Sequence, residues 1–164
     1  MKARTLWTAA LLTGAMVTGF GMVTPPTRPT PFLPGDRCIR CDRLITDRWV
    51  GGQTTGGVDA LKFRTVRCML TYLRGAPAPY KQVWVSDGQT GKLIDPERAV
   101  FVPVPIDTYT GEHHYGLGDV DYVAFHDAKT AEAVATTHGV KTMTWAAVQY
   151  YAAWMPVTVP EAQR

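Results

Sequence analysis

Short apolar runs alternate with stretches of helical period along most of the chain after residue 57. Such runs are typical of strands, and we expect strands at residues 58–64, 82–86, 92–94, 99–104, 120–125 and 140–144. After the first run, apolar positions recur at spacings of three, four and seven residues, which predicts a helix with one apolar face. Thr65 can cap this helix and Gly75 can end it. Its apolar face consists of Val66, Met69, Leu70 and Leu73.

A second helix is predicted between Asp127, which can cap it, and Gly139, which can end it. A third helix is expected at residues 145–154. The order strand, helix, strand therefore occurs twice, and Phe63 in the first copy corresponds to Phe125 in the second. This repetition predicts an α+β fold with two related halves. The apolar face of the second helix consists of Ala131, Val134, Ala135 and His138.

The first 23 residues have the pattern of an export signal or a membrane anchor. Lys2 and Arg4 precede residues 6–23, which carry no charge and would reach about 27 Å as a helix, roughly the hydrocarbon thickness of a bilayer. Basic residues before the apolar run keep the N-terminus in the cytoplasm and send the rest across. We favour an uncleaved anchor over a cleaved signal, and either one places the body outside the cytoplasm.

The segment at residues 24–34 contains five prolines and predicts a stiff linker. We therefore expect a signal or anchor helix at residues 1–23, this linker, one domain at residues 35–156 and a tail at residues 157–164. The apolar fraction of 46% excludes wholesale disorder. Without Lys2 and Arg4 the body carries 15 basic against 14 acidic residues. It therefore lacks the excess of positive charge that is typical of nucleic-acid-binding proteins.

The most informative motif is the C-x-x-C formed by Cys38 and Cys41. A c-type haem site requires histidine at position 42, which is aspartate here, and a structural zinc site requires four ligands. A disulfide, a redox pair and a site for a soft metal remain open. Exported thiols suit Cu(I), which accepts two or three soft ligands. The neighbouring arginines at positions 37, 40 and 43 favour the thiolate that a metal needs.

Further soft or imidazole groups could complete such a site. Cys68 and Met69 form a second soft pair, although Met69 lies on the apolar helix face and core packing is the simpler interpretation. His113 and His114 lie in a loop rich in glycine and tyrosine, where they are either solvated or metal ligands. The candidate metal ligands are therefore Cys38, Cys41, Cys68, Met69, His113 and His114.

From about residue 38 to residue 148, the chain resembles the nitrous oxide reductase accessory proteins, the exported copper-binding NosL family. The matching pieces are CIRCD at 38–42, FRTVRCMLTYL at 63–73, VWVSDGQTGKLIDPERAVFV at 83–102, YGLG at 115–118 and AFHDAKTAEAVATTHGVKTMTW at 124–145. The resemblance implies an α+β fold with two related ββα-type halves. It also implies a protein without enzymatic activity, which binds Cu(I) and delivers it for the copper centres of nitrous oxide reductase, either to that enzyme or to its assembly factors.

The chain departs from the family pattern in ways that bear on the site. The lipid-bearing cysteine is absent, so we expect residues 6–23 to anchor the protein at the outer face of the membrane or in the periplasm. The family's methionine after C-x-x-C is replaced by Asp42-Arg43-Leu44, its Met-Gly by Leu117-Gly118 and an aspartate by Arg64-Thr65. The copper site could be weakened, rebuilt with histidine or lost. The alternatives are a thiol–disulfide protein that keeps a copper site reduced and an interaction module without metal.

Overall fold

The computed structural model describes residues 27–57, 59–75, 80–105 and 120–154. Within them, no helix combines the length and the apolar character needed to cross a bilayer. The predicted anchor at residues 6–23 lies outside the described residues. In these described ranges, six strands and three α-helices follow one another in chain order: β1 (Gly52–Thr55), β2 (Leu61–Phe63), α1 (Val66–Gly75), β3 (Gln82–Ser86), β4 (Leu93–Ile94), a 3₁₀ turn (Pro96–Arg98), β5 (Val100–Pro105), β6 (Val120–Phe125), α2 (Ala128–Thr137) and α3 (Trp145–Trp154).

These elements form two ββα units, which confirms the predicted α+β fold with two related halves. In the first half, β1 pairs antiparallel with β2, and α1 follows. In the second half, β5 pairs antiparallel with β6, and α2 follows. The four-stranded sheet has the order β2-β1-β3-β4, so β2 is an edge strand. This position of β2 leaves one of its edges available to another part of the chain.

The two halves also agree in the way each helix begins. Thr65 follows Phe63 by two residues, and its Oγ1 accepts the N–H of Cys68 at 3.1 Å. Asp127 follows Phe125 by two residues, and its Oδ2 accepts the N–H of Thr130 at 2.8 Å. Both helices contain ten residues. The predicted caps are therefore present, and Cys68 occupies the position that Thr130 occupies in the second half.

The prediction of a strand at residues 140–144 is wrong, because these residues do not form a regular strand. Only one antiparallel bridge forms there, between Met143 and Phe101. In the first half, β3 pairs along the whole of β1 at the corresponding place. The reason is length: Gly139 ends α2 with φ +65° and α3 begins at Trp145, so few residues remain to form a ladder. The third strand of the second half is thus reduced to one pair.

Sequence reasoning missed β1, whose four residues are all buried although three of them are polar. The buried Gln53 side chain accepts the N–H of Thr30 at 2.8 Å and donates to the carbonyl oxygen of Thr30 at 3.2 Å. Phe32 packs against the core, close to Gly51. Residues assigned to the linker from the sequence therefore contact the domain.

In the described residues the core consists of two clusters, of which the first contains residues of both halves and the second lies between the β5–β6 pair and α2. Phe63, Met69, Val85 and Phe101 lie in the first cluster, and the rings of Phe101 and Trp145 are stacked with centroids 5.4 Å apart. The second cluster contains these buried residues: Val50, Val102, Val104, Val123, Phe125, Ala131 and Ala135. The halves meet where the Gly88 N–H donates to the Ala124 carbonyl oxygen at 2.7 Å.

Candidate metal centre

A tight hairpin brings Cys38 and Cys41 together. The Cys38 N–H donates to the Arg43 carbonyl oxygen at 2.9 Å, and the Asp42 N–H donates to the Cys38 carbonyl oxygen at 2.8 Å. Asp42 has φ +55°, in the left-handed region that aspartate tolerates better than most residues. The chain therefore reverses directly after Cys41, and both cysteines lie within one turn.

The hairpin is attached to the free edge of β2. The Ile39 N–H donates to the Lys62 carbonyl oxygen at 3.0 Å. The Lys62 ammonium lies 2.6 Å from Oδ2 of Asp36 at the base of the hairpin. The backbone N–H of Arg64 donates to the sulfur of Cys38. These contacts with β2 and its neighbour Arg64 therefore fix the position and the orientation of Cys38.

Cys68 comes to the same place because α1 starts three residues after β2 ends. The Sγ atoms of Cys38, Cys41 and Cys68 all lie within 4.8 Å of one another. All three are free thiols. Cys38 is 1% exposed and Cys68 is 6% exposed, whereas Cys41 is half-buried. The three cysteines named from the sequence therefore form one cluster that solvent reaches on the side of Cys41.

The pKa values of Cys38 and Cys68 are shifted in opposite directions. Hydrogen bonds from the Cys41 and Cys68 thiols, helped by the backbone N–H groups of Arg64 and Cys41, lower the pKa of Cys38 far below its ordinary value against the effect of burial. The same Cys38 and Cys41 sulfurs, together with burial, raise the pKa of Cys68. The Cys38 thiol therefore ionises more readily than the Cys68 thiol.

This donor set fits a soft monovalent ion. Three sulfur atoms bound to one metal at about 2.3 Å would lie about 4 Å apart, so only a small contraction is needed. In the part of the chain that the structure describes, the cluster includes no fourth His, Cys, Asp or Glu, and a structural zinc site uses four ligands. Two or three sulfur ligands suffice for Cu(I).

Three further candidate ligands were predicted from the sequence: Met69, His113 and His114. Met69 is fully buried, and a Cβ atom placed on Gly52 would lie 2.8 Å from its Sδ. Met69 therefore packs against the backbone of β1. His113 and His114 lie outside the described residues, so their role as ligands stays a prediction.

Sequence reasoning missed Asp121, a buried carboxylate of β6 that faces the start of α1. Its Oδ1 accepts the N–H groups of Arg67 at 3.1 Å and Tyr122 at 2.7 Å. Burial raises the pKa of Asp121, although the Thr65 hydroxyl and these N–H groups oppose the shift. A single charged residue inside the apolar run VDYVAF was the available signal.

Comparison with protein-family models and with curated protein sequences gives no match. Among solved structures, the chain is similar to the crystal structure of the copper chaperone NosL from Shewanella denitrificans. The TM-score is 0.56 at 20% sequence identity, and the match covers 73% of this chain and 93% of that one. The likeness shows that the two proteins share a fold.

Proposed function

We propose that this protein is a copper-binding accessory protein that holds one Cu(I) and transfers it to a copper-receiving protein. The ligands are the thiols of Cys38, Cys41 and Cys68. In this proposal the protein is not an enzyme, because copper enters and leaves it without chemical change. The observation that carries the proposal is the convergence of three thiols, from a hairpin and a helix, within 4.8 Å.

Two further observations support a carrier of copper over a permanent copper site. The cluster has a half-buried member in Cys41, so an acceptor can approach one ligand from solvent. The solved structure with a similar fold is described as a copper chaperone. A carrier must bind Cu(I) tightly enough to compete for it and must also release it. Three sulfur ligands supply the tight binding, and the accessible Cys41 allows the release.

The proposed site of action rests on the sequence. We propose that residues 6–23 hold the domain outside the cytoplasm, at the outer face of the membrane or in the periplasm. Nitrous oxide reductase or one of its assembly factors is the proposed recipient, on the basis of the resemblance between residues 38 and 148. Tethering near a membrane-bound recipient raises the effective concentration of the copper donor.

The test is a Cu(I) titration of the reduced full chain against a chromophoric Cu(I) chelator. We expect one tightly bound ion per chain and at least a tenfold loss of affinity in each of Cys38→Ser, Cys41→Ser and Cys68→Ser. Each cysteine is also replaced by alanine, which separates the loss of the ligand from the burial of a hydroxyl.

Failure to compete with the chelator would overturn the copper function. Reversible formation of a Cys38–Cys41 disulfide in a glutathione buffer would then favour the thiol–disulfide alternative. If neither activity is found, an interaction module is left. Unchanged affinity in Cys41→Ser alone would show that the C-x-x-C hairpin is structural.

A further inference from the structure

The chain joins the domain at a fixed point, which is Thr30. Three hydrogen bonds connect Thr30 to the buried side chain of Gln53 in β1, with donor–acceptor distances of 2.8, 3.1 and 3.2 Å. Phe32 then packs against the core beside Gly51. Only residues 24–29 therefore separate the apolar run at residues 6–23 from a residue that is fastened to the domain. We call residues 24–29 the tether.

The length of the tether limits the distance between the domain and a bilayer. The chain from residue 23 to Thr30 is seven residues long, and at about 3.3–3.6 Å per residue it reaches at most about 25 Å. A compact domain of the size of residues 35–156 is about 35 Å across. When residues 6–23 span the membrane, the surface around Thr30 therefore lies close to the lipid headgroups.

A groove with two basic side chains opens at this part of the surface. Residues 29–32 line it together with Arg48, Gly91, Lys92 and Leu93, and its volume is about 280 Å³. Among the described residues, no acidic side chain contributes to the lining. We call this feature the basic groove. It combines positive charge with apolar surface beside the residue at which the tether ends.

The charges of the basic groove are available to a ligand. The Arg48 side chain lies against Gly91, because a Cβ atom placed on Gly91 would be 3.1 Å from Cγ of Arg48. Its guanidinium lies 4.8 Å from the ring centre of Trp49. Arg48 and Lys92 are both exposed, and no carboxylate oxygen of the described residues lies within ion-pair distance of either. An anion at the groove therefore does not compete with an existing ion pair.

We propose that the basic groove rests on the membrane surface and binds the phosphate groups of anionic phospholipids through Arg48 and Lys92. This inference rests on the proposed function, in its placement of residues 6–23 in the membrane. A guanidinium donates two parallel N–H bonds to one phosphate, and an ammonium adds a point charge. Phe32 and Leu93, which line the same groove, suit the boundary between headgroups and acyl chains. The domain thus turns one defined face to the lipid.

Lysine footprinting of the full chain in lipid nanodiscs tests this orientation. Discs of phosphatidylcholine are compared with discs in which about a third of the lipid is phosphatidylglycerol, and acetylation by acetic anhydride is mapped by mass spectrometry. Lys129, which is exposed on α2, is the internal reference. We expect the ratio of the Lys92 rate to the Lys129 rate to be about fivefold lower in the anionic discs, and high salt to abolish the difference.

Substitutions identify the group that holds the lipid. Arg48→Gln is expected to remove at least half of the Lys92 protection in the anionic discs, and Arg48→Lys is expected to retain most of it. Lys141→Gln is the matched control, because it removes the same charge from an exposed side chain of the second half of the fold. It should leave the ratio unchanged.

The contribution of the tether is tested by changing its length. Ten glycine and serine residues inserted between Pro26 and Thr27 should weaken the protection of Lys92 about fourfold, because the effective concentration of the domain at the bilayer falls roughly as the −3/2 power of tether length. The same ten residues added after Arg164 are the control and should have no effect. An insertion at either place lies outside the contacts of Thr30 and leaves the fold intact.

Three results would overturn the lipid contact. The first is an equal ratio in both kinds of disc. The second is an equal loss of protection in Arg48→Gln and Lys141→Gln, which would show a general attraction of charge. The third is protection of Lys92 by inorganic phosphate in phosphatidylcholine discs to the extent seen with phosphatidylglycerol, which would identify a site for free anions.

Failure of the lipid contact and failure of the proposed function are distinguishable. Extraction of the full chain from phosphatidylcholine vesicles by alkaline carbonate would overturn the anchor, and the lipid contact with it. A chain that resists extraction but shows an equal ratio in both discs would overturn the lipid contact alone. Cu(I) titration of the wild type and Arg48→Gln should give the same affinity. Absence of Cu(I) binding with Lys92 still protected would overturn only the copper function.

Discussion

Oδ1 of Asp121 accepts the backbone N–H of Arg67 at 3.1 Å, so a strand of the second half caps the first helix of the first half. The residue after Arg67 is Cys68, whose own N–H is held by Thr65 at 3.1 Å. The first turn of α1 is therefore fixed from both halves of the fold. The position of Cys68, a ligand of the proposed copper site, therefore depends on a contact between residues 54 positions apart in the chain.

Asp121→Ala is expected to lower the free energy of unfolding by about 1–3 kcal/mol, because it leaves two N–H groups without their acceptor. Asp121→Asn keeps one acceptor oxygen and is expected to cost less. The raised pKa of Asp121 gives a stabilising contribution that is present in acid and is lost as the pH rises through that pKa. The Asp121→Asn substitution removes this dependence of stability on pH.

The measurement is urea unfolding of the wild type and both Asp121 variants between pH 4 and pH 7. The stability of Asp121→Asn relative to the wild type should improve as the pH rises, and Cu(I) affinity should fall more in the alanine variant. Equal stability of wild type and Asp121→Ala at all pH values would contradict the capping role.

Asp42→Gly is expected to stabilise the protein, because glycine adopts the left-handed conformation of this residue without steric cost. The ion pair with Arg37 that is lost lies in solvent and contributes little. We expect the midpoint of thermal unfolding to rise by about 2–4 °C, as for a gain near 1 kcal/mol. Asp42→Val should instead lower the midpoint and weaken Cu(I) binding, because it distorts the turn after Cys41.

Asp59→Gly is the control for this prediction, since Asp59 is likewise an exposed aspartate outside the helices and strands. There, glycine adds only disorder to the unfolded chain and should lower the midpoint or leave it unchanged. Stabilisation by both glycine variants would show that removal of a surface charge, and not backbone strain, is the cause.

Local patterns account for what the sequence predicted well. The strands at residues 82–86 and 120–125 and the helix at 145–154 coincide with β3, β6 and α3, because each is a local run rich in apolar residues. By contrast, β1 is a strand because it pairs with β2 and β3, and its buried Gln53 and Gly52 are accommodated by Thr30 and Met69. Neither contact leaves a periodic trace in the sequence.

Some residues of the candidate site could likewise be predicted from the local sequence, whereas others are placed by long-range contacts. A C-x-x-C motif brings its two thiols together through one local turn, so Cys38 and Cys41 could be named from the sequence. The approach of Cys68 depends on the pairing of the hairpin with β2, where Ile39 meets Lys62. Asp121 acts from the other half of the fold. Such long-range contacts depend on the topology of the fold, and the spacing of residues along the sequence does not predict them.

Met69→Leu is expected to leave Cu(I) affinity within about twofold of the wild type, because the Met69 side chain packs against Gly52. The substitution nearly conserves volume and should cost less than about 1.5 kcal/mol of stability. Gly52→Ala should destabilise the protein, and it should do so less when Met69 is also alanine, since the added Cβ then has room. A tenfold loss of affinity in Met69→Leu would identify a fourth ligand.

The N-terminal segment is predicted to remain on the mature protein as its anchor. Residues 6–23 are long enough to span a bilayer, and the basic residues before them set the orientation. Intact-mass measurement of the protein from isolated membranes should give the mass of the uncleaved chain. A soluble mature species that begins between residues 18 and 30 would show that the segment is only an export signal.

Cu(I) affinity is predicted to rise with pH. Cys38 ionises readily, because its pKa is lowered by hydrogen bonds from Cys41 and Cys68. Cys68 has a raised pKa and must lose its proton before its sulfur can bind the metal. The logarithm of the affinity should therefore gain at least one unit per pH unit over pH 6–9, without the plateau that an ordinary thiol gives near its pKa of about 8.5.

The slope is measured by competition with a chelator whose own protonation is corrected at each pH, and proton release is counted by calorimetry in buffers of different ionisation enthalpy. Cys68→Ser should reduce the slope by about one unit, because the proton that this thiol releases is gone. Cys38→Ser should lower the affinity at every pH while leaving Cys68 to titrate nearer its ordinary value, since the Cys38 sulfur is the first cause of its raised pKa. A slope that Cys68→Ser leaves unchanged would mean that Cys68 keeps its proton in the complex and is not a ligand.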